Sequence, residues 1–335
     1  MKNYIITLDT GTTNTRVILW DHDRNILARA KRDAGVRNTA IDGNNNRLKA
    51  AVKECLEKVL HAANLTFEDV RMIIASGMIT SNVGLVEIPH CVAPVNVSQL
   101  AEAVKEVLIP EICPIPITFI PGIKNNVGDV NIDNFEAMDI MRGEEVESIA
   151  ILEDFPPNKN YLLVLPGSHM KFVSIDKDGR ILGCLTSISG ELLASVTKDT
   201  IIADAVGRKF VDEKTYDREW VLLGYENAKS AGFGRACFSG RILNQFVTKD
   251  KTKIANYILG ATLASDIQGI RHSTAILTDA DTEVIVSGEN SLTQAMIDIL
   301  KHDGYFNKVE KYTPNNDVPL SALGAYKIAD IKKLV

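Results

Sequence analysis

No apolar stretch in this chain approaches the roughly 20 residues that a membrane-spanning helix needs, and no block of positive charge is present. The 37 Lys and Arg residues are outnumbered by 43 Asp and Glu residues, giving a net charge of −6 that is spread along the chain. Binding to nucleic acid or to an anionic membrane would need a clustered positive field. We therefore expect neither kind of partner.

Paired cysteines and signal-peptide features are also lacking. The five cysteines are odd in number and none forms a Cys-x-x-Cys pair, which favours reduced and mostly buried thiols. The N-terminus runs from Met1 into a strand-like apolar segment at 4–8, without the hydrophobic core of a signal peptide. These features predict a cytoplasmic protein.

Several motifs of well-known chemistry do not occur. The chain has no Gly-x-x-x-x-Gly-Lys-Ser/Thr P-loop, no His-Glu-x-x-His or cysteine metal cluster, and no Gly-x-Ser-x-Gly elbow. Any phosphate chemistry in this protein is therefore of a type that does not use a P-loop.

The apolar pattern predicts strands and helices in both halves of the chain, which indicates the α/β class. Strands are expected at 4–8, 17–20, 26–30, 70–75, 115–120, 161–165, 172–175, 181–185, 283–286 and 308–312. Helices are expected at 48–60, 100–108, 139–149, 192–206, 217–231, 235–248, 253–270, 291–301 and 320–332. The segment 156–160, Pro-Pro-Asn-Lys-Asn, is typical of a linker and separates predicted domains at 1–155 and 156–335.

The two halves share an internal repeat. Each opens with a strand, a glycine turn, a second strand, a polar turn and a third strand. Residues 19–27, Leu-Trp-Asp-His-Asp-Arg-Asn-Ile-Leu, run parallel to residues 174–182, Ser-Ile-Asp-Lys-Asp-Gly-Arg-Ile-Leu. Two unrelated hairpins can look alike, but the shared Asp-x-Asp-x-x-Ile-Leu and the upstream glycine favour duplication. Repetition at this scale predicts two similar domains that face one another.

The strongest local signal is the segment 8–16, Leu-Asp-Thr-Gly-Thr-Thr-Asn-Thr-Arg. Its glycine turn of Gly11, Thr12 and Thr13 offers backbone N–H groups and hydroxyls that can cradle phosphate oxygens. Asp9, at the end of a strand, is placed to hold a hydrated Mg²⁺. A polar hairpin with Asp9 as a turn cap is the alternative, although six consecutive polar or glycine residues are more than a turn requires.

A second phosphate-facing turn is predicted at the repeat-related position 166–171, Pro-Gly-Ser-His-Met-Lys. Leu165 stands where the first repeat has Asp9, so we expect the metal carboxylate in the first half only. Lys171, the last residue of the turn, offers a point charge for phosphate. His169 is equally compatible with a structural role. The candidate phosphate contacts are Gly167, Ser168, His169 and Lys171.

Three other segments are candidate ligand sites, each with a plainer alternative. Two carboxylates follow an arginine at 141–145, Met-Arg-Gly-Glu-Glu. Either one of them is the base that accepts a hydroxyl proton, or both simply lie at the exposed start of a helix. The polar loop at 75–84 follows a buried strand, where ligand sites are common, but a plain connection fits equally well. Ser287 and Gly288 join a strand to a helix, where a glycine lets a nucleoside approach the backbone or simply forms a turn.

Together these motifs resemble the 2-dehydro-3-deoxygalactonokinase family of the actin, hexokinase and Hsp70 superfamily. The opening turn, the repeated turn and the late strand-glycine-helix are similar to the superfamily's phosphate-1, phosphate-2 and adenosine motifs. Four segments resemble the family itself, and their order and spacing match over nearly the full length. They are Gly-Met-x-x-Ser-Asn-x-Gly at 77–84, Met-Arg-Gly-Glu-Glu at 141–145, Pro-Gly-Thr-His-x-Lys at 166–171 with Ser168 for the threonine, and Gly-Glu-Leu at 190–192.

The resemblance implies two ribonuclease H-like (actin-like ATPase) domains with a cleft between them. The first would carry the phosphate-1 turn and the sugar-acid site, and the second the phosphate-2 turn and the adenosine site. It implies Mg²⁺ and ATP-dependent phosphorylation of the terminal C6 hydroxyl of 2-dehydro-3-deoxy-D-galactonate, in galactonate breakdown. Glu144 would be the base, with Glu145 as the next candidate, and the substrate contacts would be Arg16, Ser81, Asn82 and Arg142.

Three other functions compete with this interpretation. A kinase for another sugar or sugar acid would use the same fold. An actin-like or chaperone-like ATPase would normally carry filament or peptide-binding elements, for which the chain has little room. A sugar-sensing regulator would lack the carboxylates or add a helix-turn-helix domain, and neither is seen. The sequence leaves a homo-oligomer open.

Overall fold

The computed structural model describes residues 3–314 and 317–334. The strands of the first half are β1 (Tyr4–Thr10), β2 (Thr15–Trp20), β3 (Ile26–Arg32), β4 (Val70–Gly77), β5 (Cys91–Val92), β6 (Lys105–Val107), β7 (Ile117–Phe119), β8 (Ile123–Lys124) and β9 (Ile140–Met141). Its helices are α1 (Val36–Asp42), α2 (Asn46–Ala62), α3 (Val97–Ala103) and α4 (Glu144–Leu152).

The second half continues with fewer strands and longer helices. Its strands are β10 (Tyr161–Leu165), β11 (Met170–Ile175), β12 (Ile181–Ser187), β13 (Glu283–Ser287) and β14 (Val309–Tyr312). Its helices are α5 (Ser189–Asp199), α6 (Arg218–Ala231), α7 (Phe233–Phe246), α8 (Lys251–His272), α9 (Ser291–Asp303) and α10 (Leu320–Leu334).

The two main sheets repeat one topology. The strand order is β3-β2-β1-β4-β7-β6 in the first sheet and β12-β11-β10-β13-β14 in the second. In each, three antiparallel strands are followed by two strands parallel to the first of them, and the first sheet adds β6, which is antiparallel to β7. The predicted duplication and the α/β class are therefore confirmed. A third, smaller sheet has the order β5-β8-β9.

Strand alternation divides the core between the two faces of each sheet. On β1, Ile6 and Leu8 pack against α2, whereas Ile5 belongs to a core that also contains Leu163 of β10. Alternate residues of a strand point to opposite faces, so one row of each sheet faces a shared central core. Helices α4 and α10 contribute Val146 and Tyr326 to that core, and helices α5 to α9 pack against the other face of the second sheet.

The last helix lies with the first sheet. Helix α10 packs against α3, α4, β1 and β4. These partners all lie within residues 1–155, whereas the predicted domain 156–335 includes α10. The bounds of the two domains stay a prediction.

Three predicted helices differ from the structure by three or more residues at an end. Residues 100–108 were predicted as one helix, but α3 ends at Ala103 and β6 follows as a strand paired with β7. The helix predicted at 139–149 begins only at Glu144, because Gly143 has a φ of 111° and β9 precedes it. The helix predicted at 192–206 spans 189–199, and the extended backbone of Thr200 ends it.

Within the described ranges, no helix combines the length and the apolar character that crossing a membrane requires. The longest helix, α8, is instead buried on most of its faces by the surrounding helices and the second sheet.

Close packing of α10 on α4 yields a stability prediction. A Cβ atom at Gly324 would lie 1.9 Å from the carbonyl oxygen of Val146, so Gly324→Ala forces the helices apart. We expect the free energy of unfolding to fall by about 1–3 kcal/mol, the usual cost of overpacking, in a denaturant titration. The matched control is Gly234→Ala in α7, where nothing lies within 4 Å. Equal stabilities of the two variants would contradict this account of the α4–α10 contact.

Candidate active site

Three segments distant in the sequence meet at the end of β1. Asp9 pairs in parallel with Ser76, and Thr10 with Gly77. A Cβ atom at Gly77 would lie 2.9 Å from Oδ1 of Asp9, and one at Gly143 would lie 3.5 Å from the Cα of Gly77. The Asp9 carboxylate, the loop after β4 and the N-terminus of α4 therefore form one site.

The Asp9 carboxylate lies in a mostly buried position with one cation beside it. Its side chain is 18% exposed, and Nη1 of Arg16 lies 3.4 Å from Oδ2. Burial raises the pKa of Asp9; Arg16 and the Ser321 hydroxyl oppose this, while the charge of Glu144 adds to it. Because burial and a second carboxylate both disfavour the charged form, a bound divalent cation would stabilise it.

Helix α4 brings three carboxylates to this region, and they differ in exposure. Glu144 is half-buried and accepts a hydrogen bond from the backbone N–H of Arg142 at 3.1 Å. Glu145 is only 1% exposed, and its Oε2 accepts from the N–H of Gly143 at 2.7 Å. Burial, then the charge of Glu144, raises the pKa of Glu145 to about 8. Glu144 is thus the more accessible of the two predicted base candidates.

Glu147 is a carboxylate that the sequence reasoning missed. Burial, followed by the charges of Glu144 and Asp9, raises its pKa to about 8. Residues three apart lie on one face of a helix, so the spacing from Glu144 to Glu147 was the available signal. This face of α4 carries two acids toward Asp9.

Arg142 holds the loop after β4 in place. Its guanidinium donates to Oγ1 of Thr80 and to the carbonyl of Ile88, both at 2.7 Å. Its Nη2 also lies 3.5 Å from Nδ1 of His90. Several of its donors are therefore used within the protein, and substrate contact by Arg142 stays a prediction that depends on the remaining ones.

The other predicted substrate residues lie on or near this loop. The Ser81 hydroxyl donates to the carbonyl of Met78 at 2.7 Å, and the residue is 6% exposed. Asn82 is exposed. Arg16, on β2, has 48% of its side chain exposed beside Asp9. The structure thus places Arg16 directly at the carboxylate site and leaves Asn82 free to reach a ligand.

The first glycine turn is braced from behind by the start of α1. The N–H of Gly11 donates to the carbonyl of Asn14 at 3.0 Å, and the carbonyl of Gly11 accepts from Val36 at 3.2 Å. A Cβ atom at Gly35 would lie 2.5 Å from that carbonyl, so only glycine fits there. The hydroxyl residues Thr12 and Thr13 are left exposed.

The second glycine turn has the same support. A Cβ atom at Gly190 would lie 2.2 Å from the carbonyl oxygen of Gly167, and the N–H of Glu191 donates to the carbonyl of Ser168 at 3.0 Å. Ser168 and His169 are exposed, and Nε2 of His169 lies 3.2 Å from Oε1 of Glu191. Both turns therefore point polar groups outward from a glycine-backed frame.

Lys171 is held inside the protein in this structure. It is 5% exposed, and its Nζ donates to the carbonyl of Ile140 at 2.8 Å and to Oγ1 of Thr186. Oγ1 of Thr186 in turn donates to Oδ1 of Asp139 at 2.9 Å. Contact between Lys171 and a phosphate would require these bonds to open, and it stays a prediction.

The predicted adenosine residues, Ser287 and Gly288, lie at the C-terminal end of β13. Ser287 is 9% exposed, and Gly288 follows with a φ of 126°. A Cβ atom at Gly288 would lie 2.5 Å from Oγ1 of Thr293 at the start of α9. The glycine is needed for this turn, and its role toward a nucleoside stays a prediction.

Comparison with known proteins bears on the family and the fold of this chain. The model of the family described as 2-keto-3-deoxy-galactonokinase matches residues 9–315, whereas none of the curated proteins gives a significant match. A solved structure from Sinorhizobium meliloti, described as a 2-dehydro-3-deoxygalactonokinase protein, is 19% identical with a TM-score of 0.72. The likeness covers 97% of this chain and 95% of that one. At this identity it shows the fold, which agrees with the predicted class.

A weaker likeness is found to the activator of the 2-hydroxyisocaproyl-CoA dehydratase from Clostridium difficile, solved with bound ADPNP. It has a TM-score of 0.49 and 13% identity, and it covers 99% of this chain and 96% of that one.

The position of Asp9 yields a prediction about the metal and phosphate. Asp9→Asn removes the charge and little volume, so we expect the fold to persist and turnover with ATP at saturating Mg²⁺ to be nearly abolished. Circular dichroism and a coupled ADP assay measure the two. Asp33→Asn is the control, because that exposed carboxylate lies two residues before Gly35, which packs against the first turn. A folded Asp9→Asn protein with normal turnover would rule out this role.

Proposed function

The chain belongs to the 2-keto-3-deoxy-galactonokinase family, and from this premise we propose that it transfers the γ-phosphoryl group of ATP to the C6 hydroxyl of 2-dehydro-3-deoxy-D-galactonate. The family makes it a sugar-acid kinase that uses ATP. The identity of the acid, the 6-phosphate product and a place in galactonate catabolism belong to the proposal.

The observation that carries the proposal is the meeting of Asp9, Gly77 and the Gly143–Glu144 peptide at one point. Phosphoryl transfer needs little covalent chemistry from the protein, and it depends on positioning and on neutralising charge. A carboxylate for a hydrated metal and a carboxylate for the acceptor hydroxyl have to lie close together without blocking each other. Two glycines with positive φ provide that approach.

Each part of the chain has a task in this reaction. The glycine turns at Gly11 and Gly167 hold the phosphates through backbone N–H groups and hydroxyls. Ser287 and Gly288 lie against the adenosine. Glu144 orients the C6 hydroxyl and accepts its proton as the hydroxyl oxygen attacks the γ-phosphorus and the bond to the β–γ bridging oxygen breaks. The proton ends on the Glu144 carboxylate and the leaving group is ADP.

Asp9 fits the metal that such a kinase needs. Its carboxylate is partly exposed and has a pKa raised by burial, so a cation stabilises its charged form. Among the described residues no group of three or more His, Cys, Asp or Glu side chains could hold a metal. Mg²⁺ is commonly held by one or two carboxylates plus substrate phosphates, which suits Asp9. When bound, the ion neutralises charge on the triphosphate.

The two base candidates yield opposite expectations on mutation. Glu144→Gln is expected to lower turnover by about 10²–10⁴-fold, the range for losing a general base, with the KM for ATP nearly unchanged. Glu145→Gln removes a carboxyl that is buried and bonded to its own helix start, so we expect a much smaller loss. Initial rates with 2-dehydro-3-deoxy-D-galactonate, and ³¹P NMR of the product, measure both.

Two results would count against the assignment. If Glu145→Gln is the crippled variant and Glu144→Gln is not, the base is the buried acid. If the wild-type product carries phosphate at a carbon other than C6, the proposed reaction is wrong even though the protein is a kinase.

A further inference from the structure

His90 carries a buried hydrogen-bond donor that lacks an acceptor. Its Nε2 is buried with no partner among the described residues, while its Nδ1 lies 3.5 Å from Nη2 of Arg142. A guanidinium only donates, so Nδ1 is the acceptor of the neutral ring and Nε2 carries the hydrogen. Burial, followed by the charges of Arg142 and Lys124, lowers the pKa of His90 to about 4. The ring is therefore neutral near pH 7 and its N–H remains unsatisfied.

Two cations flank this ring without a carboxylate paired to either. Lys124 and Arg142 are both half-buried, and in the described ranges neither makes an ion pair with an acidic side chain. The acids that influence Arg142 electrostatically, Glu145 and Glu87, do so without direct contact. Two partly buried cations near one another still repel each other. A bound anion would offset both and would also accept from Nε2 of His90.

This cluster of His90, Lys124 and Arg142 lies beside the candidate base. Lys124 on β8 pairs with Ile140 on β9, and Arg142 follows β9 directly. A Cβ atom at Gly122 would lie 2.9 Å from Cδ2 of His90 and 2.7 Å from Cγ of Arg142, so the glycine allows the three segments to approach. The backbone N–H of Arg142 donates to Glu144, which places the cluster next to the point where the acceptor hydroxyl is activated.

We propose that His90 and Lys124 bind the carboxylate of the sugar-acid substrate, an inference that rests on the proposed function. A sugar acid has its reacting hydroxyl at one end and its carboxylate at the other. With the hydroxyl at Glu144, the acid end extends toward the cluster, where Lys124 supplies charge and Nε2 of His90 donates a hydrogen bond. Nε2 of His90 is covered in this structure, so its surroundings have to shift to admit the carboxylate.

Kinetics of three variants tests this proposal. Lys124→Met and His90→Phe are expected to raise the KM for the sugar acid about ten- to a hundredfold, the cost of a lost charge-assisted contact, with the KM for ATP unchanged. His90→Gln keeps an N–H near the position of Nε2 and is expected to lose less than His90→Phe. The matched control is Lys105→Met, which removes an exposed cation from β6 and should leave both constants unchanged.

A neutral analogue separates recognition of the carboxylate from a general structural effect. The wild-type enzyme is expected to prefer the acid over the analogue with an alcohol at C1, and Lys124→Met should lose most of that preference. Should Lys124→Met fail to fold, as judged by its melting temperature, Lys124→Gln replaces it in the same assay.

The remaining outcomes are each decisive. A rise in the KM for ATP instead of the acid would show that the anion is a phosphate and would overturn the proposal. Unchanged constants in Lys124→Met and His90→Phe would overturn it as well. A wild-type protein that phosphorylates no sugar acid would instead overturn the proposed function, before the variants are compared.

Discussion

At the meeting point of β1, β4 and α4 there is no room for a side chain at Gly77. Gly77 and Gly143 both have positive φ, and a Cβ atom at Gly77 would overlap the Asp9 carboxylate at 2.9 Å and the carbonyl oxygen of Thr10 at 2.8 Å. This steric constraint allows a strand end, a loop and a helix start to share one small space. Because backbone rather than side chain occupies that space, the Asp9 and Glu144 carboxylates lie close enough together for the proposed roles at one triphosphate and one hydroxyl.

The two main sheets repeat one arrangement of strands, but equivalent positions in them carry different side chains. Asp9 pairs with Arg16 on the neighbouring strand, and Leu165 pairs with Lys171 at the equivalent place in the second sheet. The first pair is an ion pair beside the candidate metal position. In the second, leucine leaves the lysine without an acid, and its ammonium turns instead to the carbonyl of Ile140. The first half therefore carries the carboxylate of Asp9, whereas Lys171 of the second half forms a hydrogen bond to the first half.

Local sequence was sufficient for the parts that repeat or alternate. Both main sheets apart from β6, the glycine turns, and Glu144 and Glu145 at the start of α4 were predictable because strand period, turn residues and the internal repeat are encoded within short segments. The two-residue strands β5, β8 and β9 were not, since two residues show no periodicity. The hydrogen bonds from Arg142 to Thr80 and Ile88 were also unpredictable, because these partners lie more than fifty residues away in the sequence. Gly190 became interpretable only when the structure placed it against Gly167.

In the proposed reaction, one site transfers the γ-phosphoryl group of ATP to a sugar acid. An ADP-release assay over a panel of sugar acids and neutral sugars tests it most directly. We expect ADP to form only when a sugar acid is present, and fastest with 2-dehydro-3-deoxy-D-galactonate. The amount of ADP should equal the amount of phosphorylated acid. ADP release at the same rate without any sugar acid, or with neutral sugars alone, would contradict it.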